Sequence, residues 1–177
     1  MGTCLYVAEG EIEKRFLTEV KQLEYFVPGK FMKYNLMHNR IKYSDSIMAK
    51  KYSRIICVID TDCLGTVQLK TLEHNLRMLS EVCRNIEVMV QNKNFEDELC
   101  RLLGKKSLLK VFSKTFDGVK DLKRFLAQNV IYKEYLSTEK LEAYCGKYHE
   151  FRDLWIKQHK RSAYIKFVTG KDIMNKR

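Results

Sequence analysis

The sequence predicts an α/β fold, a largely parallel central sheet flanked by helices, followed by a basic and mainly helical C-terminal segment. Three observations carry this reading. Short apolar runs rich in β-formers alternate with stretches of helical period over residues 1–104. Several of those runs end on acidic residues, where open α/β sheets gather function. After residue 105 the alternation stops and positive charge accumulates.

The elements follow in chain order. Residues 3–8 (TCLYVA) form an apolar run that reads as a strand, and Glu9-Gly10 ends it. Residues 11–26 carry Ile12, Phe16, Val20 and Leu23 on one helical stripe, with acids in the first turn that suit the helix dipole. Pro28-Gly29 is the strong turn signal, and residues 31–37 alternate loosely as a second strand. Residues 38–53 are polar, with a short helix expected in part of them. Residues 54–59 (RIICVI) are the clearest buried strand and run straight into Asp60-Thr61-Asp62. Residues 66–83 place Leu69, Leu72, Leu76, Leu79 and Val82 on one helical face. Residues 85–90 (NIEVMV) read as another strand. Residues 95–103 form a short helix with Gly104 as its C-cap. Beyond it, residues 119–128, 137–146 and 149–159 read as helices, and 162–168 as a final strand or a helix end. The charge step and Gly104-Lys105-Lys106 mark a boundary, giving a core over residues 1–104 and an extension over 105–177 packed on it.

The chain has 177 residues, 45% hydrophobic and 31% charged, which is enough to build a packed core and excludes a disordered class. A single proline and 8 glycines exclude collagen-like and linker-rich chains. The formal net charge is +11, and it is unevenly placed. Residues 1–100 hold 14 Lys/Arg against 14 Asp/Glu, whereas residues 101–177 hold 19 against 8. A neutral half with clustered acids beside a cationic half suits chemistry on nucleic acid, where acids hold metal ions and bases hold phosphates. No apolar run approaches the ~20 residues that span a bilayer, and the N-terminus lacks a signal-peptide pattern. The expectation is therefore a cytoplasmic protein without a membrane partner. Six cysteines occur with no C-x-x-C pair and no His at finger spacing, so free thiols are expected rather than a structural zinc site.

Asp60-x-Asp62 after a buried apolar run is the sharpest local feature. Two carboxylates at a strand end gain nothing from each other until a hard cation removes their repulsion. The competing reading is a turn in which Asp caps the next helix. Glu9 and Glu13 are four apart, and on a helix beginning at Gly10 they would share a face. Asn92, Asn94 and Glu96 follow the strand at 85–90.

Together these stretches carry a family resemblance. Val7-Ala8-Glu9-Gly10-Glu11-Ile12-Glu13, then Ile56-Cys57-Val58-Ile59-Asp60-Thr61-Asp62, then Asn94-Phe95-Glu96 resemble the Toprim domain, in the variant seen in OLD-type and RloB-like nucleases. That pattern is E-G-x-x-E after the first strand, hydrophobic-D-x-D after the third and N-x-F-E after the fourth, and the resemblance covers roughly residues 1–104. The last stretch lacks the proline that the RloB-like pattern carries between its Asn and its aromatic residue. No G-x-x-x-x-G-K-[ST] of a fused ATPase occurs in the chain. The resemblance implies a Toprim-like sheet and metal-dependent cleavage of phosphodiester bonds in RNA or DNA; a tRNA or other structured RNA is among the candidates because a chain this small has little reach for scanning duplex DNA. It implies Glu9 as acid/base or metal ligand, Asp60 and Asp62 as ligands of Mg2+ or Mn2+, and Glu13 and Glu96 as helpers of a second ion. It also implies an effector role in antiphage defence, with a separate ATPase regulator and a homodimer among the expected partners.

Lys93 and Lys114 are candidates by location for added positive charge. In the C-terminal segment Tyr132, Lys133, Tyr135, Tyr144, Lys147, Tyr148, Arg152, Trp155, Lys157, Lys160, Arg161 and Tyr164 interleave rings with cations, as a nucleic-acid clamp would. Against that, Tyr148, Phe151 and Trp155 also have the spacing of a core stripe. Lys157, Lys160 and Arg161 are the expected phosphate contacts. Two other functions compete: a non-catalytic module that binds nucleic acid or recruits a partner, and a haloacid-dehalogenase-like phosphatase with Asp60 as nucleophile.

Overall fold

The computed structural model describes residues 3–112, 115–129, 132–146, 149–158 and 165–175. Five strands form one all-parallel sheet: β1 (Cys4–Ala8), β2 (Gly29–Lys33), β3 (Arg54–Ile59), β4 (Ile86–Val90) and β5 (Ile165–Phe167). Their order is β2-β1-β3-β4-β5, the Rossmann-like α/β architecture that the alternating pattern predicts. The helices are α1 (Glu11–Gln22), α2 (Tyr43–Ile47), α3 (Thr66–Val82), α4 (Phe95–Leu103), α5 (Val119–Gln128), α6 (Tyr132–Tyr135), α7 (Thr138–Glu142), α8 (His149–Gln158) and α9 (Gly170–Ile173).

A parallel sheet needs both faces covered, and its central strands read as unbroken apolar runs for that reason. β1 and β4 are buried at every position, and β3 at all but its first. Alternation sends Ile56, Val58 and Met89 to one face, where Phe16, Leu17 and Val20 of α1 meet Phe95 and Leu99 of α4 and Leu122 and Leu126 of α5. Ile55, Cys57, Ile59, Val88 and Val90 go to the other, under Leu69, Leu72, Leu76 and Leu79 of α3 and Phe151 and Trp155 of α8. Each fully buried Ile or Leu contributes about 1.5–3 kcal/mol, so these two layers hold the sheet between them.

Three boundaries differ from the sequence reading, each for a physical reason. α1 stops at Gln22 rather than near 26, because Leu23 caps it and Glu24 turns into the left-handed region at φ 59°. β2 begins at Gly29, opposite Cys4 of β1; a Cβ there would stand 2.7 Å from the Cys4 carbonyl oxygen, so only glycine permits this pairing. α7 covers only Thr138–Glu142 of the expected 137–146, since Cys145 adopts φ 58° and turns its N–H toward α4.

The C-terminal segment is threaded into the same sheet. β5 pairs with β4, and the Val168 N–H donates to the Val88 carbonyl at 3.0 Å. The last described residues then clasp the α1–β2 connection: Val27 N–H donates to Ile173 at 2.9 Å and Asn175 N–H to Tyr25 at 2.8 Å. Among the described residues no helix is long and apolar enough to cross a membrane.

Candidate functional site

The strand order places β1 and β3 side by side, with their connections leaving in opposite directions. The carboxyl ends of such a pair open a crevice, the usual ligand position in an open α/β sheet. Glu9 follows β1 directly and is exposed. Gly10 is the N-cap of α1, so Glu9 precedes the helix, while Glu13 lies in its first turn. The Glu13 carboxylate folds back over Gly10, where an added Cβ would collide with it. Asp60 follows β3 on the alternation of Ile56 and Val58, the face of α1 and α4. Asp62 is exposed two residues on. Glu96 sits in the first turn of α4, whose N-cap is Asn94; the Asn94 side chain accepts from the Asp97 N–H at 3.0 Å. Asn94 therefore serves as a cap.

The five acids share one electrostatic field. Burial pushes the Asp60 carboxyl up to about 8, and Glu13, Glu9, Asp62 and Glu96 all push the same way. Burial likewise pushes Glu13 up to about 7, reinforced by Glu96 and Glu9 and opposed by its own backbone N–H and by Lys123. Lys123 is the residue that sequence reasoning missed. It comes from α5 and bonds the Glu96 carboxylate at 2.8 Å. That bond is the main cause of its raised ammonium pKa, with Glu13 and Asp60 adding to it. Nothing local in residues 119–128 marks it, because its role comes from a contact with α4.

Two loops fix the position of Asp60 and Asp62. The N–H groups of Thr61 and Asp62 both donate to the Lys93 carbonyl, at 2.5 and 3.0 Å. The Lys93 N–H donates to the Thr61 hydroxyl at 3.0 Å, and that hydroxyl donates to the Gln91 carbonyl at 2.9 Å. Lys93 holds φ 62°, a strained region for a residue with a Cβ, and the four bonds offset its cost. Behind this clasp, the fully buried Glu98 accepts from Asn92 N–H at 3.1 Å, from Cys145 N–H at 2.7 Å, and from Arg101 Nε and Nη2 at 3.1 and 2.5 Å. The carboxylate thus ties the β4–α4 loop to the end of α7.

The remaining candidates divide. Lys93 is exposed at the crevice. Lys157 lies in the last turn of α8, about 10 Å along the helix axis from Glu150. Lys114, Lys160 and Arg161 lie outside the described residues, as do Lys147, Tyr148 and Tyr164. The aromatic clamp is corrected in part: Tyr132 and Tyr144 are 2% and 0% exposed and are core rings with no face free for a base, while Trp155, at 1%, follows the core-stripe spacing.

Among the described residues no group of three or more His, Cys, Asp or Glu donors already stands as a coordination shell. The chemistry of the acids still fits a hard divalent cation. They are all carboxylates, and burial first, then their mutual repulsion, favours the protonated form of Asp60. Asp60, Asp62, Glu13 and Glu96 could hold Mg2+ or Mn2+, with Glu9 as a further ligand or as acid/base. Compared with known proteins, the chain matches no protein-family model and no curated protein.

Proposed function

We propose that this chain is a metal-dependent nuclease of the Toprim type, hydrolysing phosphodiester bonds in RNA or DNA. The observation that carries the reading is Asp60, half-buried at a strand end and burdened by four further carboxylates drawn from the ends of β1, β3 and β4. Such a cluster costs stability unless cations bind it, so its presence at the sheet's carboxyl edge is best explained by metal-assisted chemistry. Bound Mg2+ or Mn2+ supplies Lewis-acid stabilisation of the charge that develops on the phosphoryl oxygens.

The chain's own groups then take distinct parts. Asp60, Asp62, Glu13 and Glu96 would hold the cations. Glu9, exposed at the rim, takes a proton from the attacking water and can return it to the leaving oxygen. Lys93 and Lys123 offset the charge of the incoming backbone. Cleavage of labelled tRNA, single-stranded RNA and plasmid DNA with Mg2+ or Mn2+ tests this, wild type beside Asp60→Ala. Cutting that needs the metal and falls by at least about 100-fold in Asp60→Ala is the expected result, a loss typical of removing a main electrostatic group. Undiminished cutting by Asp60→Ala, or no cutting of any substrate, would overturn it.

A further inference from the structure

Across the sheet from the acids, the same two loops open onto a cavity of about 250 Å3. Val90, Phe151 and Leu154 form apolar walls, and Thr61, Asn92 and Glu150 contribute polar groups. Val90 and Phe151 belong to the core layer under α3 and α8, so the cavity lies on the opposite face from Glu13 and Glu96. Thr61 stands between the two sides, flanked in sequence by Asp60 and Asp62.

The Thr61 hydroxyl is spent on Lys93 and Gln91, which leaves Asn92 and the exposed Glu150 as the polar groups available to a ligand. The Asn92 main chain is fixed by its N–H bond to Glu98 at 3.1 Å. Among the described residues its side-chain amide has no hydrogen bond, and the Glu150 carboxylate has neither hydrogen bond nor ion pair. An amide offers one donor group and one acceptor, whereas a carboxylate only accepts. Two apolar walls with such groups at the edge match a flat heterocycle that has donors and acceptors on its rim. The volume lies below the roughly 300–1,000 Å3 of pockets for drug-sized ligands, so it suits one ring system rather than a whole nucleotide.

We propose that this cavity is a base-reading subsite for one unpaired nucleobase bearing an exocyclic amino group, on the nucleotide next to the scissile phosphate. This rests on the nuclease reading for the scissile phosphate, though not for the base. The amino N–H donates to Glu150, as a carboxylate accepts from cytosine N4. A ring acceptor takes an N–H from the Asn92 amide. Uracil and thymine present carbonyls on both sides of their one ring N–H, and Glu150 repels them. The substrate strand crosses the carboxyl edge of the sheet over Thr61, with its phosphate on the acid side and its base on the α8 side.

The chain contains a single tryptophan, Trp155. It stacks on Phe151 with ring centroids 6.1 Å apart at 26°, so its fluorescence reports on the cavity wall. The full chain is titrated in EDTA with CMP, AMP, GMP and UMP, as wild type, Asn92→Ala and Glu150→Gln. In parallel, random-sequence single-stranded RNA and DNA pools are cut with Mg2+ or Mn2+ and the new ends are sequenced. At least one amino-bearing nucleotide is expected to bind about tenfold tighter than UMP, and each variant to lose about tenfold of that discrimination. The cut ends are expected to lack uracil or thymine at one position beside the break, and Glu150→Gln to restore it. Equal response to all four nucleotides, or no change in the variants, would overturn the subsite. Discrimination among nucleotides without any cutting upholds the base site and removes the nuclease reading. Cutting with no base bias and a flat titration does the reverse.

Discussion

Asp60 follows an Ile-Ile-Cys-Val-Ile run in β3, so its carboxyl leaves the edge of a dry core into a field made by four other acids. Burial and repulsion both favour its neutral form, and the same holds for Glu13. Both titrate above their unfolded values, from 3.8 to about 8 for Asp60 and from 4.5 to about 7 for Glu13. Stability they contribute as neutral acids is complete below about pH 4 and is lost as pH rises through about 8. Metal-free protein is therefore expected to melt at progressively lower temperature between pH 5 and pH 8. Asp60→Asn keeps the shape and removes the larger of the two titrations, so its Tm at pH 8 should exceed that of wild type. A gain on the order of 1 kcal/mol corresponds to about 2–4 °C in a chain of this size. Mg2+ or Mn2+ at pH 8 should restore the wild-type Tm, and do little for Asp60→Asn. Scanning fluorimetry across pH with and without metal reads all three, and parallel pH profiles for the two proteins would sink the assignment.

At the scale of elements, Glu98 shows what a sequence conceals. On paper Glu98 and Arg101 are an i,i+3 pair on a short amphipathic helix, the kind that usually stands in solvent. In the fold Glu98 is fully buried, because the turn after α7 lays the Cys145 N–H on it from 47 residues away. The fold itself was legible from local pattern. β3 announced itself by an apolar run ending in acids, and α3 and α5 by their stripes, whereas three-residue β5 was too short to separate from a helix end. The acids of the candidate site were legible for a related reason, since Glu9, Asp60 and Asp62 follow strands and Glu13 and Glu96 lie in the first turn of the next helix. Lys123 and Glu98 were not, because each acquires its role from a partner on another helix. Removing one side of a buried pair leaves an uncompensated charge and costs about 3–5 kcal/mol. Glu98→Ala is expected to lose that much in urea unfolding, and Glu98→Ala with Arg101→Ala to lose less than the sum of the two singles by more than about 1 kcal/mol. A loss below about 1 kcal/mol in Glu98→Ala, the size of an exposed pair, would show that the carboxylate does not lock the β4–α4 loop.

At the scale of the molecule, the charge asymmetry becomes an arrangement in space. Residues 1–100 are neutral and residues 101–177 carry the whole +11, yet the second part does not trail from the first. It supplies β5 to the sheet, α5 to the acid face and α8 to the opposite face. The acids at the crevice would repel a polyanion, so its approach has to be carried by the surrounding cations. Binding is then expected to be strongly salt-dependent and separable from catalysis. With Asp60→Asn in EDTA, where nothing is cut, the affinity for single-stranded RNA should fall linearly on a log–log plot against salt, by about 0.7 in slope for each phosphate contact. Lys93→Ala, at the crevice, and Lys157→Ala, in the last turn of α8, should each make the slope shallower by about that amount. The two sit on separate elements and share no partner among the described residues, so the double variant should lose about twice as much. Fluorescence anisotropy at several ionic strengths measures this. A slope that neither variant changes would mean that the strand runs elsewhere, and affinity indifferent to salt would remove the electrostatic basis for nucleic-acid binding altogether.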